Sequence, residues 1–141
     1  MTGDALEAVL LAGLASNTLK SVSGRPRPVH GLGSESWGVG AASFPSGEVT
    51  QAFAIASVFA RHSQRRWIDA VAWSYAGLIT WERMNLDAHW ASDSLAGAII
   101  GTAGGRWVVR RNGRYAGERP LIVPIVGESE WGLVGNFRVG R

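Results

Sequence analysis

Eight residues in three short segments carry most of the chemistry this sequence can offer. In Lys20-x6-Arg27-Pro28, two cations flank a turn, and Pro26 and Pro28 stiffen the backbone that presents Arg27. In Pro45-Ser46-Gly47-Glu48, a proline ends a loop and Ser46 is placed to cap a helix. Gly47 lets an anion approach the free N–H groups of the first turn, where the helix dipole favours negative charge. In Arg83-x5-His89-x3-Asp93, the histidine and the aspartate stand four residues apart. At the start of a helix, that spacing lets the carboxylate hold one ring N–H and aim the other nitrogen outward as a nucleophile. Arg83 adds a planar fork suited to the equatorial oxygens of a phosphate. Each segment alone has a plainer reading: a solvated basic loop, a well-formed helix start, a structural His–Asp hydrogen bond. Their conjunction points to an anion site with a buttressed histidine.

The rest of the chain must position these groups. A length of 141 residues with 46% hydrophobic and 18% charged residues fits one globular domain with a core of its own. Of the 14 basic residues only Lys20 is a lysine, and it falls on the motif position. A net charge of +3 favours anionic partners such as phosphate esters, lipid headgroups or nucleic acid. With no cysteine there is no disulfide framework and no thiolate to serve as nucleophile or zinc ligand.

Four uncharged stretches of 12 residues, Ala8 to Leu19, Val49 to Ala60, Ala70 to Trp81 and Ser94 to Gly105, are each shorter than the ~20 apolar residues that span a bilayer. They read as buried helices of a compact bundle. Helices are expected over Asp4 to Ser21, Ser46 to His62, Gln64 or Arg65 to about Met84, and Ser92 to Arg111. Between the first two, the Gly- and Pro-rich run Ser23 to Phe44 is a long irregular loop suited to the mouth of a site. After Asn112-Gly113, two alternating segments, Leu121 to Val126 and Gly132 to Val139, predict a short hairpin, with Pro124 confining its strand to an edge. The expected organisation is a helical domain over residues 1–113 and a tail over 114–141. Tryptophans 67, 73, 81, 90 and 107 fall in apolar helices and are expected in the core, which argues against a base-stacking surface and a nucleic-acid partner. The cluster Arg106, Arg110, Arg111, Arg114 and Arg119 suits either a solvated helix end or contact with an anionic membrane surface.

The three segments, in order and with their internal spacings, resemble the signatures of the type 2 phosphatidic acid phosphatase and vanadium haloperoxidase superfamily, over roughly residues 10 to 111. The resemblance implies an all-α compact helical bundle of that kind. It implies that Lys20, Arg27, Arg83, Ser46 and the Gly47 amide bind phosphate oxygens, that His89 is the nucleophile forming a phosphohistidine, and that Asp93 orients it. It implies no metal and no cofactor, with vanadate as an inhibitor, a phosphate-ester substrate with lipid phosphates among the candidates, and a periplasmic or membrane-associated setting in a bacterium.

Three departures qualify that expectation. Where the family carries a second histidine that protonates the leaving oxygen, this chain has Glu48, whose charge at ~4 Å from a phosphate would cost roughly 1–4 kcal/mol. Bound phosphate would raise the Glu48 carboxyl pKa, so the residue is expected either to donate a proton at acid pH or to repel the substrate. Glu82 replaces a serine frequent before the motif arginine, and the sequence starts just ahead of Lys20, where the family usually has further helices, so a fragment or a trimmed domain is expected. The expected function is therefore a phosphoric monoester hydrolase impaired by Glu48, with a non-catalytic phosphate-binding member as the alternative.

Overall fold

A computed structural model describes residues 1–63, 65–114, 121–126 and 131–136. Four helices make up most of it: α1 (Thr2–Ser23), α2 (Gly47–His62), α3 (Arg66–Asn85) and α4 (Ala91–Arg114). The protein is all-α in class, and the helix bounds lie within a few residues of those expected from the uncharged stretches. Two compact units divide it, Met1–Arg110 and Arg111–Arg141.

α1 stops at Gly24, which has φ +55° and returns its N–H to the Lys20 carbonyl. A side chain there would be strained, and its Cβ would come 2.9 Å from the Gly38 Cα, so the turn that releases the loop requires glycine. α2 begins where Ser46, in an extended conformation, accepts the Val49 N–H on its hydroxyl. The loop between these helices contains one 3-10 turn, Pro28–His30. It is tied to the turn between α3 and α4 and to the first turn of α4: Val29 N–H to the Asp87 carbonyl, Trp90 Nε1 to the Pro26 carbonyl, and Ser46 N–H to the Asp93 carbonyl.

The core is built from small side chains around α2. On one side Ala54 and Val58 meet Ala8 and Ala12 of α1 and Val108 of α4; on the other, Ala52 and Ala56 meet Ala76 of α3, flanked by Phe53 and Trp73 in edge-to-face contact at 5.7 Å. α4 lies flush on α2 because Gly97, Gly101 and Gly105 face it. A Cβ at Gly97 would sit 2.7 Å from the Ser46 carbonyl oxygen, and one at Gly101 or Gly105 would penetrate the Thr50 carbonyl or the Ser57 hydroxyl.

This arrangement overturns the expectation that all four uncharged stretches are buried. α2 carries most of the buried hydrophobic residues, with Ile55 still 36% exposed; α1, α3 and α4 turn mainly small residues inward and large ones outward. Leu6, Leu10 and Leu14 on α1 and Trp67, Val71 and Tyr75 on α3 form exposed i,i+4 stripes. Trp67, Trp81 and Trp107 are 62%, 63% and 53% exposed, so three of the five tryptophans expected in the core lie outside it. Close approach of helix backbones gains more contact than a large side chain held between them, a packing logic common where helices meet in apolar surroundings. Among the described residues no helix is long and apolar enough to cross a membrane.

In the second unit, β1 (Leu121–Val126) and β2 (Trp131–Asn136) pair antiparallel, from Leu121 opposite Asn136 to Val126 opposite Trp131. In a two-stranded sheet both strands are edges, where Pro124 is tolerated. Of the second strand expected to run to Val139, the last three residues lie outside the described residues, as does Arg119 of the basic cluster.

Candidate active site

The last turn of α1, the first turn of α2, the last turn of α3 and the start of α4 meet at one end of the helical unit. Lys20 comes from α1, half-buried, and a Cβ on Gly47 would lie 3.6 Å from its Nζ, so the ammonium stands over the first residue of α2. Burial pushes the Lys20 pKa down and Arg27 adds to this, while the Glu48 and Asp93 carboxylates oppose it; the net direction is downward. Arg27 stands at the start of the 3-10 turn, and its charge contributes to this shift. Ser46 is fully buried, its hydroxyl taken up in capping α2 at 3.5 Å from Val49 N.

Glu48 projects from the first turn of α2, about half of its side chain exposed. One carboxylate oxygen lies 3.3 Å from His89 Nε2 and the other 3.5 Å from Arg83 Nη1. Arg83 also pairs with Glu82 at 2.9 Å, and its buried Nε has no hydrogen-bond partner. The His89 bond holds the Glu48 pKa down, with the nearby Lys20 assisting and burial opposing, to about 2. Burial works against a charged His89 ring, yet Asp93 and Glu48 outweigh it and raise its pKa. The pairing of Glu48 with His89 Nε2 thus favours the charged form of both groups. The same contacts that hold Glu48 in place keep it ionised.

His89 is 2% exposed and precedes the first helical residue, Ala91, by two positions. The simple i,i+4 geometry of a helix therefore does not apply. Its Nδ1 donates to the Ser43 carbonyl at 2.8 Å, and the nearer Asp93 oxygen is 3.8 Å away, beyond hydrogen-bond length. Asp93 is occupied elsewhere. Its Oδ2 reaches back to the Trp90 N–H at 3.0 Å, as an acidic residue in the first turn commonly does, and also accepts the Ser43 hydroxyl at 2.5 Å. Its Oδ1 pairs with Arg25 Nη1 at 2.5 Å. Burial pushes the Asp93 pKa up, but His89, Ser43, Trp90 and Arg25 prevail and hold it below the usual carboxylate range.

Arg25 and Ser43 are the two residues that sequence reasoning missed. The default for an arginine in a Gly- and Pro-rich loop is solvent, yet Arg25 is 4% exposed. Its guanidinium lies 4.5 Å from the centre of the Trp37 ring and 5.7 Å from that of Trp90, and it donates to the Ser34 carbonyl through Nε and Nη2 and to the Ser92 hydroxyl. The one available signal was that a buried aspartate at a helix start needs a cation, and Arg25 was the unassigned one in the same segment as Arg27. Ser43 had no signal at all. Among the described residues no acidic, histidine or cysteine cluster is placed to hold a metal ion.

Comparison with known proteins shows the family of the chain. Residues 2–115 match the model of the PAP2 superfamily. A lipid A 1-phosphatase of Porphyromonas gingivalis is 34% identical over 103 residues, which cover 72% of this chain but only 21% of that protein. The crystal structure of Aquifex aeolicus LpxE superposes with a TM-score of 0.65 at 30% identity, covering 76% of this chain and 66% of that one. The chain thus spans about a fifth of the curated relative's length.

Proposed function

The chain belongs to the PAP2 superfamily, and from that premise we propose that it is a phosphate-ester hydrolase acting on a lipid phosphate in a membrane-associated bacterial setting, with Glu48 standing where the family carries its second histidine. The observation that carries this reading is the position of the Glu48 carboxylate. An anion lies between the outward nitrogen of a buried histidine and the fork of Arg83, with Lys20 over the same helix start. A substrate phosphate would exchange for that carboxylate. Lys20, Arg27, Arg83 and the free N–H groups at Gly47 would then hold its non-bridging oxygens.

In the proposed reaction His89 Nε2, once deprotonated, attacks phosphorus, the P–O ester bond breaks, and the alcohol leaves with a proton from solvent or from the site. Water then attacks the phosphohistidine, releasing inorganic phosphate and the neutral ring. No metal or cofactor enters these steps, and vanadate is expected to compete by adopting the geometry of the transferring phosphoryl group. The name of the curated relative and the apolar stripes on α1 and α3 support the lipid-phosphate class. The Glu48–His89 pair favours a second reading, an anion-binding protein with little turnover, because a protonated Nε2 is no nucleophile.

One experiment separates them. Wild type and Glu48→His are assayed on a chromogenic phosphate ester and on a short-chain phosphatidic acid, with vanadate as competitor, and quenched without acid for mass spectrometry. Phosphate on His89 in either protein supports the hydrolase. Vanadate binding with no phosphohistidine in either supports the binder. A phosphoryl group on another residue would sink both.

A further inference from the structure

We propose that Ser43, held by the buried Arg25–Asp93 pair, is the residue that sets the orientation and tautomer of His89, and that Asp93 acts on the histidine through Ser43. The inference rests on His89 being the reactive group of the proposed hydrolase. It assigns positioning roles to Ser43 and Arg25 and changes the route by which Asp93 works.

Three bonds converge on Ser43, each from a different part of the site. Its N–H donates to the Arg25 carbonyl at 2.9 Å, its hydroxyl to Asp93 Oδ2 at 2.5 Å, and its carbonyl accepts His89 Nδ1–H at 2.8 Å. Ser43 itself is fully buried. The ring N–H is therefore fixed by a neutral peptide oxygen, and the carboxylate that would otherwise take it is spent on Arg25, Ser43 and the Trp90 N–H. A neutral acceptor fixes the tautomer without stabilising the imidazolium as strongly as an ion pair would.

Arg25 has no part in the phosphate pocket. Its donors go to Ser34, Ser92 and Asp93, and two indole rings lie against it. What remains for it is to offset the Asp93 charge and keep that carboxylate 3.8 Å from the ring. The charged groups acting on His89 are Glu48 from α2, Asp93 from α4 and Lys20 from α1. Loss of Arg25, or of the Ser43 hydroxyl, frees Asp93 to bond the ring directly. The histidine then becomes more basic, and a smaller fraction is nucleophilic at neutral pH.

The full chain has only three histidines, so the His89 ring can be followed by nitrogen-15 NMR. Ser43→Ala, Ser43→Thr and Arg25→Gln are compared with wild type for ring shifts, titration midpoint, kcat and KM. Ser43→Ala and Arg25→Gln are expected to raise the His89 midpoint by about one unit and to change the Nδ1 shift. Where turnover is measurable, kcat at pH 7 falls about tenfold with KM little changed. Ser43→Thr, which keeps the hydroxyl, restores the wild-type values. If Arg25→Gln does not fold, the Ser43 pair decides alone. Unchanged His89 shifts and midpoint in folded Ser43→Ala, or no rescue by threonine, would overturn the proposal. Absence of turnover in every form would defeat the hydrolase reading and leave the NMR result to decide the positioning.

Discussion

The two ends of α2 are held in opposite ways. Around its first turn the buried groups are polar: Arg25, Ser43, Ser46, Thr50, His89 and Asp93 all lie under 5% exposed, and each has named hydrogen-bond partners. Two turns further on, Ala54 and Val58 meet Ala8, Ala12 and Val108 with no polar contact between them, and Gly101 and Gly105 remove even the Cβ from α4. One end is specified by direction, the other by closeness. Directional bonds fix where a reacting nitrogen points, and a missing one leaves a buried group unsatisfied. Close packing fixes only how near two helices come, and it fails when an atom is added.

Substitutions at the two ends should therefore fail differently. The largest effect is expected at the polar end, where Glu48→His removes the carboxylate from Nε2 and supplies a proton donor. It should raise kcat/KM at pH 7 by about 10²–10⁴-fold; a wild type more active than this variant would mean that Glu48 serves another chemistry. Next, at the close-packed end, Gly101→Val pushes a side chain into the Thr50 carbonyl. It should cost about 1–3 kcal/mol or more in urea unfolding, and a neutral result would show that α4 does not lie flush on α2. Ser46→Ala removes the α2 cap and should cost about 1 kcal/mol, read in the same way.

A pH series sharpens the comparison further. Glu48 has its folded pKa depressed from 4.5 to about 2, so its contribution to stability is present above 4.5 and is lost as pH falls towards 2. His89 is shifted upward, so its contribution is full below 6.5 and is lost as pH rises through the raised value. Glu48→Gln should flatten both limbs of a stability–pH curve, whereas Gly101→Val should lower the curve without changing its shape. The smallest effect belongs to neither end: Trp67→Gln, on the outer face of α3, should alter unfolding free energy by less than about 0.5 kcal/mol, and a larger loss would mean that this face is covered.

Much of this was legible in the sequence. The helices follow from uncharged stretches bounded by Gly, Pro and charge, and the site residues from three spacings whose order matched a known pattern. The core was misread because hydrophobicity was taken as a proxy for burial. The stripes Ala8, Ala12, Ser16 and Gly97, Gly101, Gly105, each at four-residue intervals, were the better guide, since small residues at that spacing let backbones touch. The His89–Asp93 geometry was misread because the first helical residue falls between them, which turns the aspartate back to cap its own helix. Arg25 and Ser43 lie 68 and 50 residues from Asp93, and no local rule links positions so distant.

At Gly97 the α4 main chain comes up against the Ser46 carbonyl with nothing between them. Side chains can change rotamer; peptide units cannot. The gap between the two helix starts, and with it the distance from Glu48 to His89, is thus set by a hard stop. A shift elsewhere in the alanine core has no soft element at this point through which to detune the pocket.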